Sequence, residues 1–405
     1  MTYTRAQQVL FALIANALFD QPLPSLDEVD WREVYAESRA QAVTLSAFQN
    51  YKALPLDGEF RQWLEALLQK QTLRNVQNFQ HHGYLHRLLT KAEIPYCVLK
   101  GISSAHYYRS PLSRGMGDVD FYVAPADLEK TAEALLADGF TADPRPQVHH
   151  RVYRKAGMHF ELHYEVAGVP NGRAGEIVGE YLSDLTRNST PTFDEFVTYQ
   201  GPNPFHHGLI LLLHMQHHLL SEGIGLRHLS DWAVFVHSFS SDEFVRLFAE
   251  KLRHAGLWVF AQTVSLAAAL HMGLPRQAWM GEDDVLAEEL LQDILAGGNF
   301  GRKDHARPYE GMLISNRGKD GVGKNRIVQG FSSLNRIVRS QWPVTAKCPL
   351  LYPIGWIYFP LRYFFRVLTG KRKSLNALQA YENSGKRQEL YSRLQLYKID
   401  EESSL

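Results

Sequence analysis

Cysteine is nearly absent from this sequence: Cys97 and Cys348 are the two among 405 residues. They lie far apart in apolar surroundings, which excludes a disulfide framework and points to a reducing compartment. Net charge is absent as well. The 43 basic and 43 acidic residues cancel, so no whole-protein field draws the chain to nucleic acid, and any basic surface is local. No run of about eighteen apolar residues occurs, which argues against a membrane-spanning helix. Residues 1–20 carry Arg5 within a mixed helical pattern, with no apolar block and no small-residue cleavage site, so no signal peptide is expected. These absences lead us to expect a cytoplasmic protein without a sequence-specific nucleic-acid partner. Internal repeats and low-complexity tracts are missing too.

What is present is an ordinary globular composition, 45% apolar, in a chain long enough for two or three domains. Val9, Leu10, Leu13, Ile14 and Leu18 recur at helical spacing, as do Phe60, Leu64, Leu67 and Leu68. Residues 1–92 are therefore expected to be an N-terminal helical region. Residues 93–200 alternate between β and α patterns. Strands are expected at 96–99, 118–123, 148–154 and 158–166, with helices at 103–108 and 125–139. Residues 167–204 look like a linker holding a short helix or strand. Residues 201–300 return to strong helical periodicity. Residues 301–405 are expected to hold a basic loop followed by amphipathic helices; the loss of periodicity spans 297–347. The expected class is α+β, with a small mixed β-sheet core flanked by helical regions.

The chemistry concentrates in twenty-eight residues, from Tyr96-Cys-Val-Leu-Lys-Gly101 to Arg114-Gly-Met-Gly-Asp-Val-Asp-Phe-Tyr-Val123. Strand side chains change face at every residue, so Asp118 and Asp120 share one face while Val119, Phe121 and Val123 share the other. Neighbouring carboxylates repel, and a divalent cation between them relieves the repulsion. A third acid is expected from a neighbouring strand. In Met158-His-Phe-Glu-Leu-His-Tyr-Glu-Val166, Glu161 is the candidate nearest the middle and Glu165 its competitor. Lys100-Gly101 closes a strand and opens a helix, where backbone N–H groups and the lysine charge suit a phosphate. Ser103 stands beside it. Arg114 either neutralises phosphate charge or is a surface arginine.

These residues resemble a known family. Leu99-Lys-Gly101, a short helix with Tyr107-Tyr108, Arg114 and Gly117-Asp-Val-Asp-Phe-Tyr-Val123 are similar to the nucleotidyltransferase fold of the DNA polymerase β superfamily. More narrowly they resemble the bacterial uncharacterised nucleotidyltransferases, nucleotidyltransferase family 5, in which Lys-Gly replaces the superfamily's usual Gly-Ser. Glu161-Leu-His163 resembles that family's acid-x-His strand, with Glu where many relatives carry Asp. His214, the segment Leu226-Arg-His-Leu-Ser-Asp-Trp232 and Gly297-Gly-Asn-Phe-Gly301 add weaker likeness, and the whole covers roughly residues 60–370. The resemblance implies transfer of a nucleoside monophosphate from an NTP, with Mg²⁺ or Mn²⁺, to an unidentified acceptor. It implies Asp118, Asp120 and Glu161 as catalytic metal ligands, and Lys100, Gly101, Ser103, Arg114 and His163 as nucleotide-binding residues. The alternative is a module of the same fold that binds nucleotide or a partner without turnover.

Four further motifs have plainer readings. His214 and His218 stand four apart on a helix, as zinc-binding histidines do, but no Glu lies between them, so a helix interface or a cleft lining is expected. Arg227 and Asp231 are expected to pair along their helix. Gly318-Lys-Asp-Gly-Val-Gly-Lys-Asn325 approaches a P-loop, but Asn325 replaces the Ser or Thr that would meet Mg²⁺. Residues 349–373 are aromatic, apolar and basic, and suit either a docked helix or a peripheral membrane contact.

Overall fold

The computed structural model describes residues 2–144, 149–193, 196–319, 335, 338, 342–346, 351–369 and 377–398. The chain opens with helices α1 (Arg5–Phe19), α2 (Trp31–Ala40), α3 (Thr44–Ala47) and the long α4 (Gly58–Lys91). Thr4 caps α1 in a reciprocal capping box with Gln7, and Asp57 caps α4 by accepting from the Phe60 N–H. A mixed sheet follows, built from β1 (Cys97–Val98), β2 (Val119–Tyr122), β3 (Thr141–Ala142), β4 (His150–Lys155) and β5 (Met158–His163) in the order β1-β2-β5-β4-β3. Between its strands lie α5 (Ile102–Ala105) and α6 (Leu128–Ala137).

Within the sheet, β2 and β5 run parallel with Asp120 opposite Glu161, and the other pairs are antiparallel. The hairpin between β4 and β5 turns on Ala156 (φ 46) and Gly157 (φ 85). Two left-handed residues in a two-residue loop match the twist of the strands. The expected face alternation holds: Val119, Phe121, Val123, Phe160 and Leu162 are fully buried in the sheet's core, together with Phe79, Leu85 and Leu89 from α4.

The segment read as a linker is more ordered than its prolines and glycines suggest. It holds α7 (Arg173–Leu182) and a hairpin of β6 (Thr190–Phe193) and β7 (Thr198–Gly201). The hairpin docks on the sheet side of α4: the Gln200 N–H donates to the Tyr96 hydroxyl, and Val197 packs closely on Gly83. The helical body is α8 (Pro204–Leu220), α9 (Leu226–His237), α10 (Ser241–Phe244), α11 (Glu250–His254), α12 (Trp258–His271) and α13 (Asp284–Gly297). Helices α1–α3 share one apolar core with this body rather than forming their own.

The basic-loop reading of 297–347 needs correction where the residues are described. Residues 307–319 form helix α14 (Arg307–Lys319). Its apolar periodicity is weak because Arg307 and Glu310 share its buried face with Leu313 and Ile314. Arg307 pairs with Asp293, while Glu310, fully buried, accepts from Arg387 and Asn383 of a later helix. Buried charge satisfied pairwise leaves no hydrophobic signature. The chain ends with α15 (Tyr352–Leu368) and α16 (Ala377–Arg393). In the motif that approaches a P-loop, Gly318 and Lys319 end α14, and 320–325 lie outside the described residues, as does Cys348.

Candidate active site

The site is built on the polar face of the sheet and closed by the helical body. Loop 114–117 delivers Asp118 to the start of β2, and a row of polar residues on α4 grips that loop. Asn75 Nδ2 donates to the carbonyls of Leu112 and Arg114, its Oδ1 accepts from the Met116 N–H, and Asn78 Nδ2 donates to the Gly117 carbonyl at 2.6 Å. His82 donates from Nδ1 to the Asn78 carbonyl, and its Nε2 is buried beneath Gly101 without a partner among the described residues. Burial keeps this imidazole neutral, its pKa lowered to about 4. Asn75, Asn78 and His82 fall on the same helix face as Phe79, Leu85 and Leu89, and that interruption of an apolar stripe is the signal that could have marked them.

Gly101 adopts φ +68°, a conformation that an L side chain resists, where the chain leaves β1 for α5. Helix α5 is a single turn, so it offers little dipole, and the positive charge here is that of Lys100. Its Nζ lies 3.0 Å from Asp120 Oδ1. The same oxygen accepts from His163 Nε2 at 3.0 Å. Burial would push the Asp120 carboxyl up, but the ammonium of Lys100 and the imidazole of His163 outweigh it and hold the group well below the usual carboxylate range. His163 is correspondingly raised: burial opposes its charge, and the hydrogen bonds to Asp120 and Glu161 win. Glu161 is raised by burial and by the charges of Asp120 and Asp118, against a hydrogen bond from His163.

The three acids do not form one compact triad. Ligand atoms of Asp118, His159 and Glu161 gather within 4.8 Å of one another, and so do those of His150, Glu161 and His163. Glu161 is common to both groups, while Asp120 is engaged by Lys100 and His163. His159 Nε2 is buried without a partner among the described residues. Carboxylate and imidazole donors with an orphaned ring nitrogen fit a divalent cation, and the imidazoles fit Mn²⁺ better than Mg²⁺. Glu165 is exposed and pairs with His149 at 2.9 Å, away from these groups. His150 and His159 escaped notice in the sequence because their roles depend on strand register.

Two of the expected nucleotide contacts are placed otherwise. The Ser103 hydroxyl donates inward to the Val98 carbonyl at 3.0 Å and is buried, so it braces the turn from β1 instead of facing a ligand. Arg114 is neither a surface arginine nor free for phosphate. Its Nε and Nη2 fork onto the two oxygens of Asp231 at 2.8 and 2.7 Å, with both side chains buried, and Tyr108 donates to the same carboxylate. This fork ties the loop before Asp118 to α9. It also removes the expected pairing of Arg227 with Asp231, because three donors already use that carboxylate.

Arg227 is thereby left without an ion pair among the described residues, and its Nε is buried with no acceptor. Burial, with the nearby Arg114 charge, lowers its pKa. Arg227 lines a cavity of about 250 Å³ whose floor is Lys100, Gly101, Asp118 and Asp120. The opposite wall is His214, His218, His228 and Phe300. Burial holds His214 and His228 well below their ordinary pKa and lowers His218 to about 3, so the wall is uncharged. The zinc-like spacing of His214 and His218 thus yields a cleft lining; neither belongs to a metal-capable group among the described residues. Phe300 sits at φ 54, ψ 44 between Gly298 and Gly301, a strained backbone that sets its ring 4.6 Å from that of His218 and beneath the Arg227 guanidinium.

No curated protein and no solved structure matches the chain. The family described as "Uncharacterised nucleotidyltransferase" matches residues 27–273, which is more than half of the chain and includes the sheet, the loop before Asp118 and the helices that carry His214 and Arg227. The chain belongs to this uncharacterised nucleotidyltransferase family.

Proposed function

We propose that the protein transfers a nucleoside monophosphate from an NTP to a hydroxyl or phosphate acceptor, releasing pyrophosphate, with a divalent cation. The observation that carries this reading is the meeting of an acidic sheet face with a half-buried arginine, unpaired among the described residues, across one cavity. Asp118, Asp120 and Glu161, with imidazole support from His159, are the residues that would hold the cation. Bound there, it would supply positive charge to the phosphate oxygens. Lys100 and Arg227 bind the phosphates: Lys100 turns from Asp120 on its flexible stem, and Arg227 offers a guanidinium without an ion pair among the described residues. His163 keeps Asp120 ionised and oriented. Glu161 stands on the acid face beside Asp118, where it can accept the proton of the attacking hydroxyl.

The test is release of labelled pyrophosphate from each of the four NTPs, with Mg²⁺ or Mn²⁺, across panels of sugar, alcohol and protein acceptors. Asp118→Asn and Asp120→Asn are the controls. Turnover by the parent chain that both variants lose is the expected result. Tight binding of cation and NTP with no pyrophosphate release under any acceptor would replace this reading with that of a nucleotide-binding module.

A further inference from the structure

The cavity wall across from the acids holds a buried hydrogen-bond donor without a partner. The Gly225 N–H donates to His228 Nδ1 at 3.4 Å. Burial keeps this ring neutral. A neutral imidazole has one accepting and one donating nitrogen, so its proton sits on Nε2. His228 is 4% exposed and lines the cavity, and its Nε2 has no partner among the described residues. An unmet buried donor is costly to a fold, and an acceptor atom on a ligand would satisfy it. Phe300 stands beside it. Its ring centroid lies 5.6 Å from that of His228, and the residue is 38% exposed. The loop that presents this ring is pinned to the start of α9. The Phe300 N–H donates to the Gly223 carbonyl at 3.3 Å, and a Cβ on Gly225 would stand 2.7 Å from that of Asn299. Ile210, Leu211 and Met215 line the same cavity and add apolar surface. Arg227 joins this uncharged lining to the phosphate-binding charges: it precedes His228 on α9, and its guanidinium lies 5.8 Å from the Phe300 centroid.

We propose that Phe300 and the His228 Nε2–H hold the nucleobase of the NTP, its ring against Phe300 and an acceptor atom of its edge on His228. The proposal rests on the nucleotidyl-transfer reading above. A ligand with phosphates at one end and a flat, uncharged heteroaromatic ring at the other matches the juxtaposition of Arg227 with Phe300. Every base has a π-face for the aromatic ring, while the fixed donor asks for an acceptor on the base edge. A sugar acceptor fits this lining worse. Its hydroxyls run round the whole rim, and several would be left unpaired against Ile210, Leu211, Met215 and Phe300. A charged acceptor would lose its hydration against neutral imidazoles and apolar side chains.

The test compares two probes on the full chain in Mn²⁺: non-transferable analogues of the four NTPs, and inorganic tripolyphosphate, which has the phosphates without a base. At least one analogue should bind about tenfold or more tighter than tripolyphosphate. Phe300→Gly should erase that difference and leave tripolyphosphate affinity unchanged. Phe300 holds φ 54, which Gly adopts without strain, so the melting temperature should stay near that of the parent. Phe300→Tyr, which keeps the aromatic face, should keep the preference. His228→Phe keeps a flat ring and loses the donor; it should weaken analogue binding by about tenfold, again without moving tripolyphosphate. Arg227→Met should weaken both probes. The proposal is overturned if tripolyphosphate binds as tightly as every analogue, or if neither Phe300→Gly nor His228→Phe changes analogue affinity. It is also overturned if Phe300→Gly weakens both probes equally, since the ring would then act through Arg227. In each of these cases the nucleotidyl-transfer reading stands. Binding of neither probe overturns that reading and the base site with it.

Discussion

Two arginines line the same cavity, and their substitution should have opposite consequences. Arg114 is forked onto Asp231 with both partners about 95% buried. Arg114→Met leaves that carboxylate buried with only Tyr108 donating to it. Breaking a buried pair from one side costs about 3–5 kcal/mol, and the remaining Tyr108 bond favours the lower end. Arg227 has no such partner. Replacing it with Met, of similar length and no charge, removes a half-buried cation without an ion pair among the described residues and should leave stability within about 1 kcal/mol of the parent. Its loss should instead appear in ligand affinity. A charge-assisted hydrogen bond to phosphate contributes about 1.5–3 kcal/mol, or about a ten- to hundredfold change in Kd.

Urea melts give the stabilities, and calorimetry with a non-transferable NTP analogue and Mn²⁺ gives the affinities. Arg227→Met should bind at least about tenfold more weakly with an unchanged melt, and Arg227→Lys should recover part of the loss. Arg114→Met should melt early. If Arg227→Met destabilises the fold as much as Arg114→Met, or leaves nucleotide affinity untouched, the assignment of Arg227 to the phosphates is refuted.

Asn75→Ala deletes three hydrogen bonds to the loop before Asp118; it should cost about 2–4 kcal/mol in a thermal melt and reduce turnover more than nucleotide affinity. Glu161→Gln should lower turnover by about a hundredfold or more while Glu165→Gln leaves it nearly unchanged, and the reverse order in a pyrophosphate assay would move the third acid to Glu165. His207, lowered to about 3 by burial, and His214 and His228, held well below their ordinary value by burial, are neutral in the folded chain and titrate near 6.5 when unfolded. The unfolded state therefore takes up protons first as pH falls, so their stability contribution is complete above about 6.5 and is lost below it. Three such groups should remove about 3 kcal/mol between pH 6.5 and 5.5, and melting temperatures flat across that interval would contradict their burial as neutral rings.

What was legible in the sequence follows from what periodicity can carry. Val119, Phe121, Phe160 and Leu162 alternate with polar residues, so strand identity and face could be read directly, and Glu161 could be named as a candidate third acid beside its competitor Glu165. Parallel pairing of β2 with β5, which sets Asp120 opposite Glu161, could not, since register is settled by tertiary packing. Arg114 shows the same limit for charge. Its neighbours in sequence suggest a phosphate contact, but Asp231, 117 residues away, takes both arms of the fork. Arg227 then inherits the free role, although its own i+4 neighbour was the reasonable partner. Helix α14 escaped because Leu313 and Ile314 share its buried face with Arg307 and Glu310, whose pairs with Asp293 and Arg387 hydrophobic patterning does not register.

The cavity's charge count supports the proposed need for a cation, and it yields a last test. Its floor presents Asp118 and Asp120 with Glu161 beside them, and a bound NTP adds about four negative charges. Against these stand Lys100, already 3.0 Å from Asp120, and Arg227; the Arg114–Asp231 pair cancels internally and the histidine wall is neutral. Lys100 and Arg227 alone leave the phosphates facing excess acid, so NTP should bind poorly in the presence of a chelator. Asp120→Asn changes two terms in the same direction: it removes one repelling charge and frees Lys100 for the phosphates. In chelator this variant should bind NTP about tenfold tighter than the parent, while losing turnover when Mn²⁺ is restored. A variant that binds no better in chelator would mean that Lys100 does not leave Asp120 for the nucleotide, and the phosphate site would have to be rebuilt around Arg227 alone.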